Sequence, residues 1–239
     1  MKNNVLISGG HGSLASQLVK HNTVYNITAL SRHEMDITDI HQIESAIQLH
    51  APEYFIHTAA LTRPMSNHTK TPELSIQSNI IGTSNVVLMC IKYNIKLIYI
   101  STDYIYPGTD GDYLETDPVL PVNEYAWSKL GGECAVRLYK NSLILRIALC
   151  ENPFPHNKAL YDVKKSYIFI NNAAELILKL KDEFGIINIG GVKQTPYEFA
   201  KTFNNEVGKI YLNDINDVTM AKDASLNINK LHKILQRLK

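Results

Sequence analysis

The sequence predicts an α/β protein built on a doubly wound parallel sheet, and three observations support that prediction. Short apolar runs alternate with segments of helical periodicity through residues 1–150. A glycine turn directly follows the first apolar run, and no internal repeat or low-complexity linker interrupts the pattern. The 239 residues, 45% of them hydrophobic, suffice for one large domain or for one domain with a small lobe.

The composition narrows the choice of partners and compartment. A formal net charge of +1 without a basic tract argues against nucleic acid or a membrane surface as the main partner. Three widely spaced cysteines, Cys90, Cys134 and Cys150, indicate small buried thiols in a reducing compartment. The first residues leave no room for a signal peptide, and no apolar run is long enough to span a bilayer. We therefore expect a cytoplasmic protein.

The first strand, residues 5–8, ends at the turn Gly9-Gly10-His11-Gly12-Ser13-Leu14, which opens a helix. Such a turn lets backbone N–H groups approach a pyrophosphate at a helix N-terminus, where the helix dipole favours an anion. A tight structural turn is the other interpretation. The position of the glycine turn, directly after the first strand, favours dinucleotide binding over a purely structural role.

The second strand, residues 26–30, is followed by Ser31 and Arg32. An NAD-selective site commonly places an acidic residue about 20 positions beyond the glycines, bonded to the ribose 2′-hydroxyl. A hydroxyl and a guanidinium suit a 2′-phosphate better, so NADP(H) is the preferred cofactor and NAD(H) the alternative. Arg32 as a solvated surface residue is the competing interpretation.

Polar and small residues continue the predicted site along the next segments. Asp36 and Ile37 are candidates for contact with the adenine edge, and Asp39 is expected to cap a helix. The third strand, residues 54–57, ends in small residues at 58–62. Small side chains at the carboxyl end of a parallel strand allow a cofactor to lie against the backbone.

A helix is predicted over residues 72–93, with Pro72 in its first turn. Asn79 on this helix either bonds a neighbouring backbone group or supports a catalytic lysine through water, and we favour the first. The fourth strand, residues 96–100, delivers Ser101-Thr102-Asp103 at its carboxyl end.

Tyr125 and Lys129 lie four residues apart, one turn from each other on the same face of a predicted helix. An ammonium beneath a phenol favours the phenolate, so the pKa of the tyrosine is expected to fall from about 10 toward neutrality. Such a group can exchange a proton with a carbonyl or an alcohol. A tyrosine and a lysine at this spacing, without any other motif, more often have a structural role. The glycine turn and the Ser101-Thr102-Asp103 segment favour a functional role for this pair.

Together these elements resemble the short-chain dehydrogenase/reductase superfamily, in its extended sugar-nucleotide branch, and most closely the dTDP-4-dehydrorhamnose reductase family. The resemblance is dense from residue 4 to about 150 and patchy afterward. It is carried by the stretches Ser101–Gly108, Glu115–Pro118, Pro121–Asn123, Tyr125–Glu133 and Ser225–Leu231.

The resemblance implies transfer of a hydride from NADP(H) to a keto carbon of a nucleotide-linked 4-keto-6-deoxy sugar. Tyr125 would donate the proton, Lys129 would lower the tyrosine pKa and bond the nicotinamide ribose, and Thr102 would hold the carbonyl. Related dehydratases usually carry Thr-Asp-Glu, whereas this chain has Thr102-Asp103-Tyr104, so dehydration is disfavoured. Asp103 is therefore expected to make a structural bond or to support Thr102.

These arguments define a Rossmann-type NAD(P)-binding domain at residues 1–150 and a small, shortened substrate lobe at 151–239, interleaved with the core. Substrate contacts are expected from Thr62, Thr102 and Asp103. The cofactor-binding residues are expected to be Gly9, Gly10, His11, Gly12, Ser13, Leu14, Ser31, Arg32, Asp36, Ile37, Ala59, Ala60, Thr62, Ile100, Tyr125 and Lys129.

The second half is less informative. Only residues 151–166 stand where family members carry a longer segment that shapes the substrate pocket. Lys164, Lys165 and Lys222 are candidates for holding a diphosphate, although each is more typical of a solvated surface lysine. Helices are predicted over 172–181 and 196–207, and a strand over 186–189. The histidines share no metal-ligand spacing, so no metal site is expected.

Two other functions stay open. An NAD-dependent sugar-nucleotide epimerase shares the Tyr-x-x-x-Lys pair and consumes no reduced nicotinamide. The regulatory β subunit of methionine adenosyltransferase is similar to these reductases and is a non-catalytic partner. Helices 72–93 and 124–140 are candidates for pairing in a homodimer.

Overall fold

A computed structural model describes residues 3–215 and 219–238 and shows a central sheet of six parallel strands. In spatial order, with labels in chain order, these are β2 (Asn26–Leu30), β1 (Asn4–Ser8), β3 (Tyr54–His57), β4 (Lys96–Thr102), β5 (Ser142–Ile147) and β9 (Gly185–Ile189). The order reverses between β1 and β3, and a crevice outside the carboxyl ends of the strands forms at such a point.

Helices cover both faces of the sheet. The α-helices of the described residues are α1 (Ser13–Lys20), α2 (Ile40–His50), α3 (Ser66–Lys70), α4 (Pro72–Ser75), α5 (Thr83–Lys92), α6 (Glu124–Arg137), α7 (Ile170–Leu180), α8 (Pro196–Lys201) and α9 (Asn229–Arg237). One core layer joins the sheet to α1, α7 and α9, and the other joins it to α2, α5 and α6. All seven residues of β4 are buried, as expected for a parallel strand covered on both faces.

Two short parallel pairs lie outside the central sheet. They join β6 (Leu149–Cys150) to β8 (Ile168–Phe169) and β7 (Lys158–Leu160) to β10 (Gly208–Ile210). Together with α8 they make up a small lobe, whose apolar centre includes Cys150, Phe169 and Phe199.

The doubly wound parallel sheet predicted from the sequence is confirmed. The capping of α2 by Asp39 is also confirmed, because its side chain accepts from the His41 N–H at 2.9 Å. The second half agrees less well: α8 ends at Lys201, well before residue 207, and β6, β7, β10 and α9 were not predicted.

Two expectations from the sequence are wrong. Among the described residues, Pro72–Lys92 is a helical segment long and apolar enough to cross a membrane by length and composition. A core helix passes the same test, and buried side chains of this segment, such as Val86 and Cys90, pack in the sheet core. Cys134 is exposed on α6, whereas Cys90 and Cys150 are buried as expected.

Candidate active site

The glycine turn between β1 and α1 has a conformation that requires glycine. Gly9 has a φ of +74°, and a Cβ at this position would lie 2.9 Å from the Ala59 Cα. The next residue, Gly10, donates its N–H to the Leu30 carbonyl at 2.8 Å. The turn therefore brings bare backbone against the ends of both neighbouring strands.

A cavity of about 430 Å³ opens beside this turn, at the carboxyl ends of β1, β2 and β3. Half of the predicted cofactor residues line it, namely Gly9, His11, Gly12, Arg32, Asp36, Ile37, Ala59 and Ala60. Size, position and the side-chain-free wall at Gly9 fit the phosphate and adenosine parts of a dinucleotide.

The other predicted cofactor residues lie elsewhere. Leu14 and Ile100 point into the hydrophobic core, and Ser31 is buried at the end of β2. Thr58 and Leu61 also line the cavity, and both lie in the 58–62 segment that was expected to face the cofactor. The remaining lining residues were not singled out from the sequence, and these are His33, Met35, Thr38, Leu74, Gln77 and Ser78. Leu74, Gln77 and Ser78 come from the helical segment after Pro72, which closes the cavity from the side.

The segment that follows β2 carries the Glu34 carboxylate in addition to that of Asp36. Ser31 donates its hydroxyl to the Glu34 carboxylate at 2.6 Å, and this bond, with that of the Ser31 N–H, lowers the pKa of Glu34. The exposed Arg32 guanidinium lies 3.0 Å from an Asp36 carboxylate oxygen. Glu34 was overlooked, although an acidic residue about 20 positions past the glycines was the signal to look for.

Thr102 and Asp103 lie at the carboxyl end of β4, and both side chains are buried. The Thr102 hydroxyl donates to Asp103 Oδ1 at 3.2 Å and accepts from the Tyr104 N–H at 3.3 Å. The other Asp103 oxygen, Oδ2, accepts from the Lys165 ammonium at 2.5 Å. Asp103 thus makes structural bonds, as the sequence predicts, but one of its partners was not foreseen.

Tyr125 lies in the first turn of α6, whose N-cap Asn123 accepts from the Ala126 N–H at 2.9 Å. Its ring packs against the buried His68 ring, with 5.2 Å between centroids. Burial is the main cause that raises the pKa of Tyr125 above its usual range, and the negative charge of Asp103 raises it further. The expected fall in this pKa is therefore wrong for the chain by itself.

Lys129 lies one turn further along α6 and is buried. Its ammonium lies 4.3 Å from the centroid of the Tyr99 ring, and the Tyr99 hydroxyl donates to the Lys129 carbonyl at 2.9 Å. Burial lowers the pKa of Lys129 to about 7. Because burial disfavours the charged form, Lys129 exerts a weaker field on Tyr125 than a fully charged lysine would.

The helix carrying both residues approaches the segment after Pro72 very closely. A Cβ at Gly132 would lie 2.5 Å from the Asn79 carbonyl oxygen. The residues Ile76–Gly82 that face it adopt a π-helical turn. Such a turn is frequent at functional sites and widens the helix where α6 crosses it.

Two buried polar side chains brace this region. Asn79 exchanges hydrogen bonds with the Leu61 backbone, at 2.7 and 2.9 Å, and donates to the Ser128 hydroxyl. The interpretation of Asn79 as a backbone-bonding residue is confirmed. His57 is bonded to the Ser8 and Thr83 hydroxyls, and burial lowers its pKa to about 3, so its ring stays neutral.

The three candidate diphosphate lysines differ in their surroundings. Lys164 and Lys222 are exposed, whereas Lys165 is 1% exposed and paired with Asp103. The interpretation of Lys165 as a surface lysine is wrong, because the chain folds its segment over the end of β4. Arg63, which the sequence did not single out, lies 3.7 Å from Glu151 at the mouth of the site, and its charge acts on Tyr125.

The fold and the arrangement of these side chains indicate a class of protein. A parallel sheet with a glycine turn at its first strand, and a Tyr-x-x-x-Lys helix beside the fourth, is the Rossmann-type fold of the extended short-chain dehydrogenases/reductases. The family described as "RmlD substrate binding domain" matches residues 1–152. The chain belongs to this family.

Three similar proteins illustrate the relationship. A dTDP-4-dehydrorhamnose reductase from Aggregatibacter actinomycetemcomitans is 32% identical over 162 residues, which cover 64% of this chain and 53% of the relative. The methionine adenosyltransferase 2 subunit beta of Bos taurus is 31% identical over 143 residues, which cover 55% of this chain and 42% of the relative. The chain spans about half the length of the curated relatives that it matches.

A solved structure extends the similarity over nearly the whole fold. The crystal structure of dTDP-4-dehydrorhamnose reductase from Bacillus anthracis, in complex with NADP, superposes with a TM-score of 0.89 at 25% sequence identity. The match covers 98% of this chain and 93% of that one. The sequence resemblance to this family is therefore confirmed.

Proposed function

We propose that the protein is an NADP(H)-preferring reductase of a nucleotide-linked 4-keto-6-deoxy sugar, serving deoxysugar synthesis. The observation that carries the proposal is that buried Thr102 and Lys129 and half-buried Tyr125 accompany a cavity suited to a dinucleotide, which opens at the same carboxyl edge of the sheet where Thr102 ends β4. Relatives that share this family are named dTDP-4-dehydrorhamnose reductases, and one of them was crystallised with NADP.

Each of the three residues has a distinct part in the proposed reaction. The bound nicotinamide supplies the hydride. Tyr125, whose raised pKa keeps the phenol protonated, donates the proton to the carbonyl oxygen. Thr102 hydrogen-bonds that oxygen and stabilises its developing charge, and Lys129 bonds the nicotinamide ribose. Thr62 and Asp103 complete the proposed substrate contacts.

The preference between cofactors depends on the end of β2. Arg32 and His33 line the adenosine end of the cavity and favour a 2′-phosphate, whereas Glu34 and Asp36 favour a ribose hydroxyl. We keep NADP(H) as the preferred cofactor and NAD(H) as the alternative. The proposed cofactor residues are those predicted from the sequence except Leu14 and Ile100, whose side chains lie in the core, with His33 and Gln77 added from the cavity wall.

A homodimer is the assembly that we propose. Large apolar side chains are exposed along the segment after Pro72 and along α6, and include Ile76, Ile81, Leu88, Ile91, Trp127 and Leu138. An isologous pairing would cover them. We also propose that residues 151–239 contribute the substrate lobe, and that the protein acts in the cytoplasm.

The test is the oxidation of NADPH and NADH, followed by absorbance, with dTDP- and UDP-linked 4-keto-6-deoxy sugars. Oxidation with one of these sugars is expected, and Tyr125→Phe should reduce it by roughly 10²–10⁴-fold. The same substitution should leave cofactor affinity within a few-fold, since the cavity beside Gly9 is unchanged. Turnover by Tyr125→Phe at the parent rate would mean that another group donates the proton.

A second candidate is a non-catalytic partner that binds a dinucleotide. It is favoured by the raised pKa of Tyr125, by the short lobe and by the similarity to the methionine adenosyltransferase subunit. Tight NADPH binding without oxidation by any sugar of the panel would support this candidate over the reductase. Interconversion of a UDP-sugar with bound NAD and no net oxidation would instead support an epimerase.

A further inference from the structure

The Lys165 ammonium, which pairs with Asp103, has no part in the proposed reaction. Both side chains are almost fully buried, with exposed fractions of 1% and 4%. Ions are rarely buried without a compensating partner, because desolvation is costly. The face of the Tyr104 ring supplies a second contact, 3.4 Å from the ammonium.

The backbone around Lys165 is fixed by partners far along the chain. The Lys165 N–H donates to the Gln194 carbonyl at 2.9 Å, and the Gln194 N–H donates back at 3.0 Å. The neighbouring Lys164 N–H donates to the Lys222 carbonyl at 2.8 Å. The ammonium is therefore held at the end of β4 by the lobe and does not depend on a flexible surface segment.

The distances show where the charge of Asp103 is engaged. The Thr102 hydroxyl reaches Asp103 Oδ1 at 3.2 Å, whereas the Lys165 ammonium reaches Oδ2 at 2.5 Å. A hydroxyl that is bound firmly by a carboxylate lies at about 2.5–2.7 Å. Asp103 thus holds the lysine firmly and the threonine weakly. Besides burial, both Asp103 and Thr102 act on the Tyr125 phenol: the Asp103 charge raises its pKa, and the Thr102 hydroxyl lowers it.

We propose that Lys165 is a positioning residue that neutralises Asp103 and so leaves the Thr102 hydroxyl available to Tyr125 and to the substrate carbonyl. This inference rests on the proposed reductase function. Without the ammonium, the bare carboxylate would draw the Thr102 hydroxyl onto itself and raise the negative potential at Tyr125. The lobe thereby completes the site with a single side chain.

The test compares Lys165→Met, Asp103→Asn, the double variant and the control Lys164→Met, which removes a neighbouring exposed lysine. Lys165→Met should lower kcat by about 10–100-fold while the KM for NADPH stays within twofold. The double variant carries neither charge, so its kcat should exceed that of Lys165→Met by at least about fivefold, although the loss of the proposed Asp103 substrate contact keeps it below the parent. Lys164→Met should match the parent. An unchanged kcat in Lys165→Met, or a double variant no better than that single variant, would overturn the proposal.

A second readout requires no turnover. The ¹³Cζ signal of Tyr125, assigned by its loss in Tyr125→Phe, should move in Lys165→Met and return toward the parent position in the double variant. A signal that does not move overturns the positioning role. If none of the sugars tested supports oxidation of NADPH by the parent, the reductase proposal fails. The signal of Tyr125 then still decides whether Lys165 has a positioning role. Because the double variant buries no unpaired ion, it stays testable where Lys165→Met fails to fold.

Discussion

The half of the molecule before residue 150 and the half after it are built by different kinds of contact. In the first half, most of the proposed functional residues follow the carboxyl end of a strand or lie on α6. In the second half, short pieces depend on distant partners, as in the pairing of β7 with β10 and of Lys165 with Gln194. The proposed chemistry therefore uses locally specified structure, and the proposed role of the lobe is to adjust it through long-range contacts.

The largest effect that would test this comparison is expected at Lys129, in the first half. Lys129→Met should lower turnover by roughly 10²–10⁴-fold, because the proposed ribose contact and positive charge are lost. The same substitution should stabilise the cofactor-free protein by roughly 1–2 kcal/mol at pH 7, since it removes a buried ammonium.

The pH dependence of that stabilisation follows from the lowered pKa of Lys129. Below about pH 7 the lysine is charged in both the folded and the unfolded parent, so the full cost of burying the charge is present. The cost disappears as the pH rises toward the ordinary lysine value of about 10.5. Urea unfolding of parent and variant should therefore differ most at pH 6.5 and least at pH 9.5; a constant difference would contradict the assignment.

An intermediate effect is expected in the lobe, at Phe199. Its buried ring lies 4.7 Å from the Phe169 ring, and Phe199→Ala should cost about 3–5 kcal/mol of local stability. Hydrogen exchange should accelerate over residues 150–170 and 196–210, while NADPH affinity stays within twofold. The matched core variant Leu97→Ala should instead accelerate exchange across the central sheet. A tenfold loss of NADPH affinity in Phe199→Ala would contradict the expected independence of the cofactor site from the lobe.

The smallest effect is expected at the end of β2. Arg32→Glu should weaken NADPH binding by about tenfold and NADH binding much less, because a carboxylate repels the 2′-phosphate. The control Lys20→Glu makes the same charge change on the exposed end of α1. Fluorescence titration of both cofactors measures the difference. Equal losses for NADPH and NADH would remove the basis for the NADP(H) preference.

Prediction from sequence succeeded where one short segment determines the outcome. The glycine turn, the Asp39 cap and the Tyr125-to-Lys129 spacing each depend on residues within a few positions of one another. The burial of Lys165 and the raised pKa of Tyr125 depend on which distant groups the fold brings to the end of β4. Charge and periodicity within one segment do not encode such proximity, so both were predicted wrongly.

The close contact between Gly132 and the π-helical turn has a consequence for protein engineering. A side chain at Gly132 would push α6 away from Asn79, and Tyr125 and Lys129 would move with it. The Tyr-x-x-x-Lys motif alone is thus not enough to transfer the pair to another protein. Grafting it into another scaffold requires a glycine at the position of Gly132 and a widened partner helix, because the close approach of these helices sets where Tyr125 and Lys129 lie relative to Asn79.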